Sequence, residues 1–226
     1  RAGSVAENLL SGFSGYLQTD DYAGYHAVGR QDDISHVGCW AHARRKFIDA
    51  QKAATSKDKK TTRTGKADVA INYIAKLYAI EKQAKDASSE ARHQLRQDKS
   101  VPILNSMREW LDKTLRSTLP KGLLGMALGY LNKNWEKLIR YTEDGDVNID
   151  NNLAENAIRP FVIGRKNWLF SATPRGAHAS AAIYSLIETA KANGLEPYVY
   201  LCKVFNQLPS MTTTEELQAL LPWANA

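Results

Sequence analysis

The chain has 226 residues, 43% of them apolar and 24% charged, with a mean hydropathy of −0.43; that composition supplies a sizeable core and excludes collagen, a coiled-coil rod and a wholly disordered chain. No run approaches the roughly 18 uncharged apolar residues a membrane helix needs, which excludes a helical membrane span; no membrane partner is expected. The net charge of +6 and pI of about 9.2 favour a polyanionic partner.

Arg1-Ala2-Gly3-Ser4 shows neither the apolar stretch nor the cleavage pattern of a signal peptide. Without a starting Met, the chain is expected to be a fragment or a processed product. Cys39 and Cys202 cannot build a disulfide framework, so the cytoplasm is the expected compartment. Ser4 to Phe13 reads as the end of a short helix with Val5, Leu9 and Leu10 on one face, broken by Gly12 and Gly15. Gly15–Thr19 is a β-like run, Tyr22–Val28 looks helical, and Ile34–Trp40 is a second strand candidate ahead of a helix starting near Ala41. That alternation predicts a parallel sheet. From about Ala67 to Tyr141 apolar residues recur at helical spacing, including one helix predicted over Leu123–Tyr141, which reads as an all-helical insertion. A helix beginning near Asp150–Asn152 is expected to stop or bend by Pro160. Ala177–Ala192 is strongly helical and stops at Asn193-Gly194; Pro197 opens another helix through Phe205. Thr213-Thr214-Glu215-Glu216 is a capping box for a last helix, with Leu217, Leu220 and Leu221 expected to face inward.

The positive charge is concentrated. Between Ala41 and Lys66 stand nine basic residues (Arg44, Arg45, Lys46, Lys52, Lys57, Lys59, Lys60, Arg63, Lys66) against Asp49 and Asp58, a balance of 9 − 2 = +7, so the rest of the chain carries 6 − 7 = −1. Such a run serves either as a solvated linker or as a phosphate-backbone contact, and composition alone favours the linker.

Three polar clusters sit at predicted element ends. Asp20-Asp21 follows a strand, where open α/β sheets place their sites; Asp is equally at home there as a helix N-cap. Asn151, Asn152, Glu155 and Arg159 fall on one helical face. Asn152 with Glu155 also fits a capping box, which leaves the paired Asn and the Arg unexplained. Cys39-Trp40-Ala41-His42 has the spacing of half a zinc site, but no second closely spaced pair completes it, and a strand end leading into a basic helix is the better reading.

Taken together, Gln18-Thr19-Asp20-Asp21-Tyr22-Ala23-Gly24-Tyr25, Cys39-Trp40-Ala41-His42-Ala43-Arg44-Arg45-Lys46-Phe47, Ile149-Asp150-Asn151-Asn152-Leu153-Ala154-Glu155 to Pro160, Gly164-Arg165-Lys166-Asn167-Trp168-Leu169-Phe170 and Tyr184 to Lys191 resemble the transposase of the insertion-sequence sixty-six family. The resemblance runs through essentially the whole chain, and Pro197–Trp223 is similar to that family's small terminal segment.

The resemblance implies an α/β fold: a partial ribonuclease-H-like core of the DDE type with a large helical insertion, predominantly helical overall. It implies a partial core with the second catalytic Asp over residues 1–55, a basic linker and helical insertion over 56–145, the catalytic Glu helix over 146–196, and a C-terminal helical segment over 197–226. Asp20 matches the family's second catalytic Asp, Asp21 standing where the family often has Gly, and Glu155 matches the catalytic Glu. Both would ligate Mg²⁺ (or Mn²⁺), with two ions in the intact enzyme. Asn151, Asn152, Cys39 and His42 would support the site; Arg44, Arg45, Lys46, Arg159, Arg165 and Lys166 would meet DNA phosphates. Trp168 and Phe170 could wedge into distorted DNA, although a buried core place is the better reading.

The implied activity is hydrolysis at transposon ends followed by strand transfer into target DNA, in the nucleoid. Self-association and helper proteins of the same element are the further partners implied. One departure matters. The 19 residues before Asp20 hold a single acid, Glu7, on the predicted helix. The first catalytic Asp and its strands are therefore expected to be missing, and the chain alone is expected not to cut or join DNA. The alternative is a non-catalytic DNA-binding remnant; a generic ribonuclease-H-like nuclease is weaker, given the helical insertion.

Overall fold

The structure, a computed structural model, describes residues 3–55, 65–169 and 171–225. Lys57, Lys59, Lys60 and Arg63 of the basic run, and Phe170, lie outside them, as does the side chain of Trp168. The chain forms two compact units, Arg1–Asn152 and Leu153–Ala226.

The first unit opens with α1 (Gly3–Leu9) and two short parallel strands, β1 (Gly15–Gln18) and β2 (Ile34–Val37), paired Gly15 to Ile34 through Gln18 to Val37. Val5 and Leu9 of α1 are 65% and 79% exposed. Tyr22–Val28, expected to be helical, instead forms two 3₁₀ turns, Ala23–Tyr25 and Val28–Arg30. Gly24 and Gly29 weaken a helix there, and Gly29 has a packing reason besides: the His36 ring sits where a β-carbon would be.

Helices follow: α2 (Trp40–Thr55), α3 (Lys66–Gln83), α4 (Ser89–Leu95), α5 (Val101–Arg116), α6 (Leu123–Lys133) and α7 (Trp135–Ile139). Their apolar residues recur every three or four positions, so each presents one stripe. The stripes meet in one core: Trp40, Ala43 and Phe47 from α2; Ala70, Ile74 and Leu77 from α3; Leu104, Met107 and Leu111 from α5; Leu128 and Leu131 from α6. Trp40 meets Trp135 edge-on, with ring centroids 6.4 Å apart, and its indole N–H donates to the Leu138 carbonyl at 2.8 Å. The single helix expected over Leu123–Tyr141 is broken at Asn134, whose N–H and side-chain amide both bond the Tyr130 carbonyl and close α6.

Between α4 and α5 the backbone is π-wound over Arg96–Ser100, just ahead of Pro102, which has no N–H to give a regular helical bond. Arg96 is 1% exposed. It donates twice to Glu81, at 2.9 and 2.7 Å, and to the carbonyls of Tyr141 and Asp144 at 2.7 and 2.6 Å. Its guanidinium also stacks over the Tyr141 ring, 5.0 Å from the centroid. One side chain thereby ties α3, the π-wound turn and the chain leaving α7.

In the second unit α8 (Asn152–Trp168) continues through Pro160, so the helix does not stop there. Proline removes one backbone bond, to the carbonyl four residues earlier, and the flanking helical turns outlast that loss. Leu169 follows with a positive φ of 61°. Helix α9 (Pro174–Ala192) starts three residues earlier than its apolar pattern, on the Thr173 cap. It ends as expected: Gly194 has φ +73°, with Leu195 N–H bonded to Ala190 and Gly194 N–H to Lys191, the Schellman arrangement. α10 (Pro197–Gln207) packs Tyr200 and Val204 on Ala190, and the Tyr200 hydroxyl donates to the Leu220 carbonyl at 3.0 Å. α11 (Thr214–Ala219) carries the expected capping box, Thr213 with Glu216. Leu220 is buried; Leu217, expected inside, is 44% exposed. The protein is thus predominantly helical with one two-stranded parallel sheet among the described residues. Among those residues no helix is long and apolar enough to cross a membrane.

Candidate functional site

Asp20 leaves the carboxyl end of β1 exposed, between two pinned neighbours. Thr19 is 3% exposed and its Oγ1 lies 2.7 Å from Nε2 of His36, itself 3% exposed. Burial lowers the His36 pKa to about 4, with Lys137 adding to the effect and Asp21 opposing it, so the ring is neutral at pH 7. Asp20 Oδ1 accepts the Tyr22 N–H at 3.0 Å, a local turn that leaves its other oxygen outward.

Asp21 differs from Asp20 in every respect. Its φ is +67°, a left-handed backbone that glycine adopts without strain, and its side chain is 8% exposed. Its Oδ1 accepts Lys137 Nζ at 2.7 Å and His26 Nε2 at 3.0 Å; Oδ2 faces Lys133 Nζ at 3.4 Å. Burial would raise this carboxyl, but Lys137, with Asn134 and Lys133, outweighs it and lowers the pKa to about 2. Asp21 is thus fully ionised and committed to an ion-pair cluster.

The segment entering α8 is held against the same strand ends. Gln18 donates to the carbonyls of Asn148 (2.7 Å) and Gly38 (3.3 Å), and Trp40 N–H bonds the Ile149 carbonyl at 3.2 Å. Cys39 is 0% exposed, and its Sγ accepts the Asn151 N–H at 3.3 Å. Burial pushes the thiol pKa up, against N–H bonds from Asn151, His42 and Ala41. A buried, protonated sulfur already used as a backbone acceptor is a poor zinc ligand. Cys39 instead ties the start of α2 to residue 151, with His42 half-buried one turn into the helix. Asn151 precedes the helix rather than lying on its face. Asn152 is its first residue, and the turn is made by Asp150, whose Oδ1 accepts the Asn152 N–H at 3.0 Å while Oδ2 accepts the Asn152 amide at 2.8 Å and the Tyr78 hydroxyl at 2.6 Å. Burial and that carboxylate both raise the Tyr78 pKa.

Arg44 and Arg45 are exposed on α2 and line a cavity of about 520 Å³ with Tyr78, Asp150 and Asn152. Lys46, also exposed, sits over the Tyr130 ring, 4.6 Å from its centroid. In the second unit Glu155 is half-buried in the first turns of α8, with Arg159, Arg165 and Lys166 exposed further along. Among the described residues no group of three or more His, Cys, Asp or Glu could hold a metal. Asp20 belongs to the first unit and Glu155 to the second.

The sequence profile of the Transposase IS66 family matches residues 1–179, and that of the IS66 C-terminal element matches 185–223. The chain belongs to the IS66 transposase family. Three proteins of Sinorhizobium fredii are similar to this IS66-family chain over 99% of its length: the uncharacterized proteins y4qI at 34% identity, y4jD at 31% and y4hP at 33%. The chain spans 41%, 43% and 42% of those relatives, respectively. No solved structure matches it significantly. Sequence reasoning missed the partners of Asp21 and Asp150; nothing in the local pattern marks Lys133, Lys137 or Tyr78, which lie far along the chain.

Proposed function

We propose that this chain contributes two of the three metal-ligating acids of a DDE transposase on a ribonuclease-H-like core. The reaction is hydrolysis of a phosphodiester at a transposon end, then attack of the freed 3′-hydroxyl on target DNA. Asp20 and Glu155 are the metal ligands. The donor set suits magnesium: both are hard carboxylate oxygens, and Asp20 presents one of them to solvent. Bound Mg²⁺ would polarise the scissile phosphate and stabilise the leaving oxygen. Arg44 and Arg45, and Arg159, Arg165 and Lys166 on α8, neutralise DNA phosphates.

What supports this reading is Asp20 itself, an exposed carboxylate just beyond the carboxyl end of a parallel strand, in a chain whose residues 1–179 match the family profile. Open α/β sheets place their sites at such strand ends.

With two acids of three, the 226-residue chain is proposed not to cut or join DNA by itself. Mn²⁺ titration tests the assignment. Glu155→Gln is expected to weaken Mn²⁺ binding about tenfold or more while preserving the thermal midpoint, since a charged ligand is lost from a partly solvated site. Wild-type affinity in that variant would favour the remnant reading, in which the chain meets DNA through salt-sensitive contacts alone.

A further inference from the structure

We infer that Asp21, held by Lys137, Lys133 and His26, is a positioning residue for Asp20, and that the helical insertion supplies the clamp. The inference rests on the reading of Asp20 as a metal ligand. Asp21 takes a left-handed backbone that non-glycine residues adopt only uncommonly. Such a conformation persists only where its surroundings hold it. Here the holding groups are identifiable. Lys137 of α7 and Lys133 of α6 reach back 116 and 112 residues to the two carboxylate oxygens. His26 bonds both the side chain and the carbonyl of Asp21, at 3.0 and 3.2 Å, and the Asp21 N–H bonds Thr19 Oγ1 at 3.2 Å.

The residues on both sides of Asp20 are therefore fixed by packing and ion pairs, and the reversal at Asp21 decides where the Asp20 carboxylate points. Lys137, 25% exposed, spans from the insertion to the strand end and is the main partner; Lys133, 64% exposed, is the outer one. The Lys137 carbonyl also accepts the Gly38 N–H at 2.8 Å, so α7 grips the ends of both strands.

Charge and geometry make opposite predictions, which gives a decisive experiment. A lysine near a metal ligand repels the cation, so on electrostatics alone Lys137→Met would tighten Mn²⁺ binding. If Lys137 positions Asp20, the same change loosens the carboxylate and weakens binding. We expect the Lys137→Met chain to bind Mn²⁺ about tenfold more weakly than the wild type, and Lys137→Arg to recover most of the loss. Exchange of the Tyr22 amide, which bonds Asp20, is expected to rise about tenfold in Lys137→Met, with little change at Ala43 in the α2 core. Unchanged or tighter Mn²⁺ binding in Lys137→Met would overturn the positioning role even if the variant melts earlier. Should the wild type show no Asp20-dependent Mn²⁺ binding, the metal-site reading itself fails; the Tyr22 exchange then decides the clamp alone, and an unchanged rate overturns it.

Discussion

Arg96→Met is expected to destabilise the first unit by about 3–5 kcal/mol, the range for removing one partner of a buried ion pair. The cost arises from what stays behind. Glu81, with 15% side-chain exposure, would keep its charge without either guanidinium bond. The carbonyls of Tyr141 and Asp144 would each lose a donor. A small domain has a total stability of only about 5–15 kcal/mol, so the change should show as a large fall in the urea midpoint. Glu81→Leu in the same chain should restore much of the loss, because an apolar pair of similar volume in place of a buried ion pair is often neutral. A single-variant loss below about 1 kcal/mol would mean that Arg96 is not the tie between α3 and the chain leaving α7.

The second large effect concerns activity. In a protein of the length of the Sinorhizobium relatives, Asp20→Asn is expected to lower strand transfer about a thousandfold, which corresponds to roughly 4 kcal/mol of lost transition-state stabilisation. Asp21→Asn should behave differently. It keeps a hydrogen-bonding side chain in the clamp and removes no proposed ligand, so a smaller fall is expected, one that raising the Mn²⁺ concentration partly reverses. Equal losses in the two variants would remove the distinction between ligand and positioning residue. A strand-transfer rate unaffected by Asp20→Asn would end the DDE assignment for this residue.

The resemblance already set those neighbours apart, with Asp20 as the ligand and Asp21 where the family often has Gly, but the different burial of the two carboxylates was not legible in the sequence. Their separation into one exposed and one buried carboxylate depends on Lys133 and Lys137, more than a hundred residues away. Local patterns served well where the cause is local. The Gly194 stop, the Thr213 capping box and the apolar spacing of α3 and α5 each depend on residues within one or two turns, and each is present in the structure. They failed where a distant or competing term prevails. Pro160 breaks one backbone bond, but the turns on either side of it outweigh that loss. Leu217 has helical spacing with Leu220 and Leu221, yet six residues of α11 bury one flank of it poorly. The candidate site was partly legible: Cys39 and Asn151 were both picked out by motif, while the bond between them required the fold. Asp150 was read merely as part of a helix start, and its acceptance of the Tyr78 hydroxyl came only with the packing of α3.

The central claim is that Asp20 and Glu155 grip a common divalent ion. Paramagnetic broadening by substoichiometric Mn²⁺ tests it most directly in the isotope-labelled chain. Amides around residues 20–22 and around residues 154–156 are expected to broaden together at the same Mn²⁺ concentration, and Asp20→Asn or Glu155→Gln to abolish both effects. Broadening at one cluster that persists when the acid of the other is replaced would contradict it.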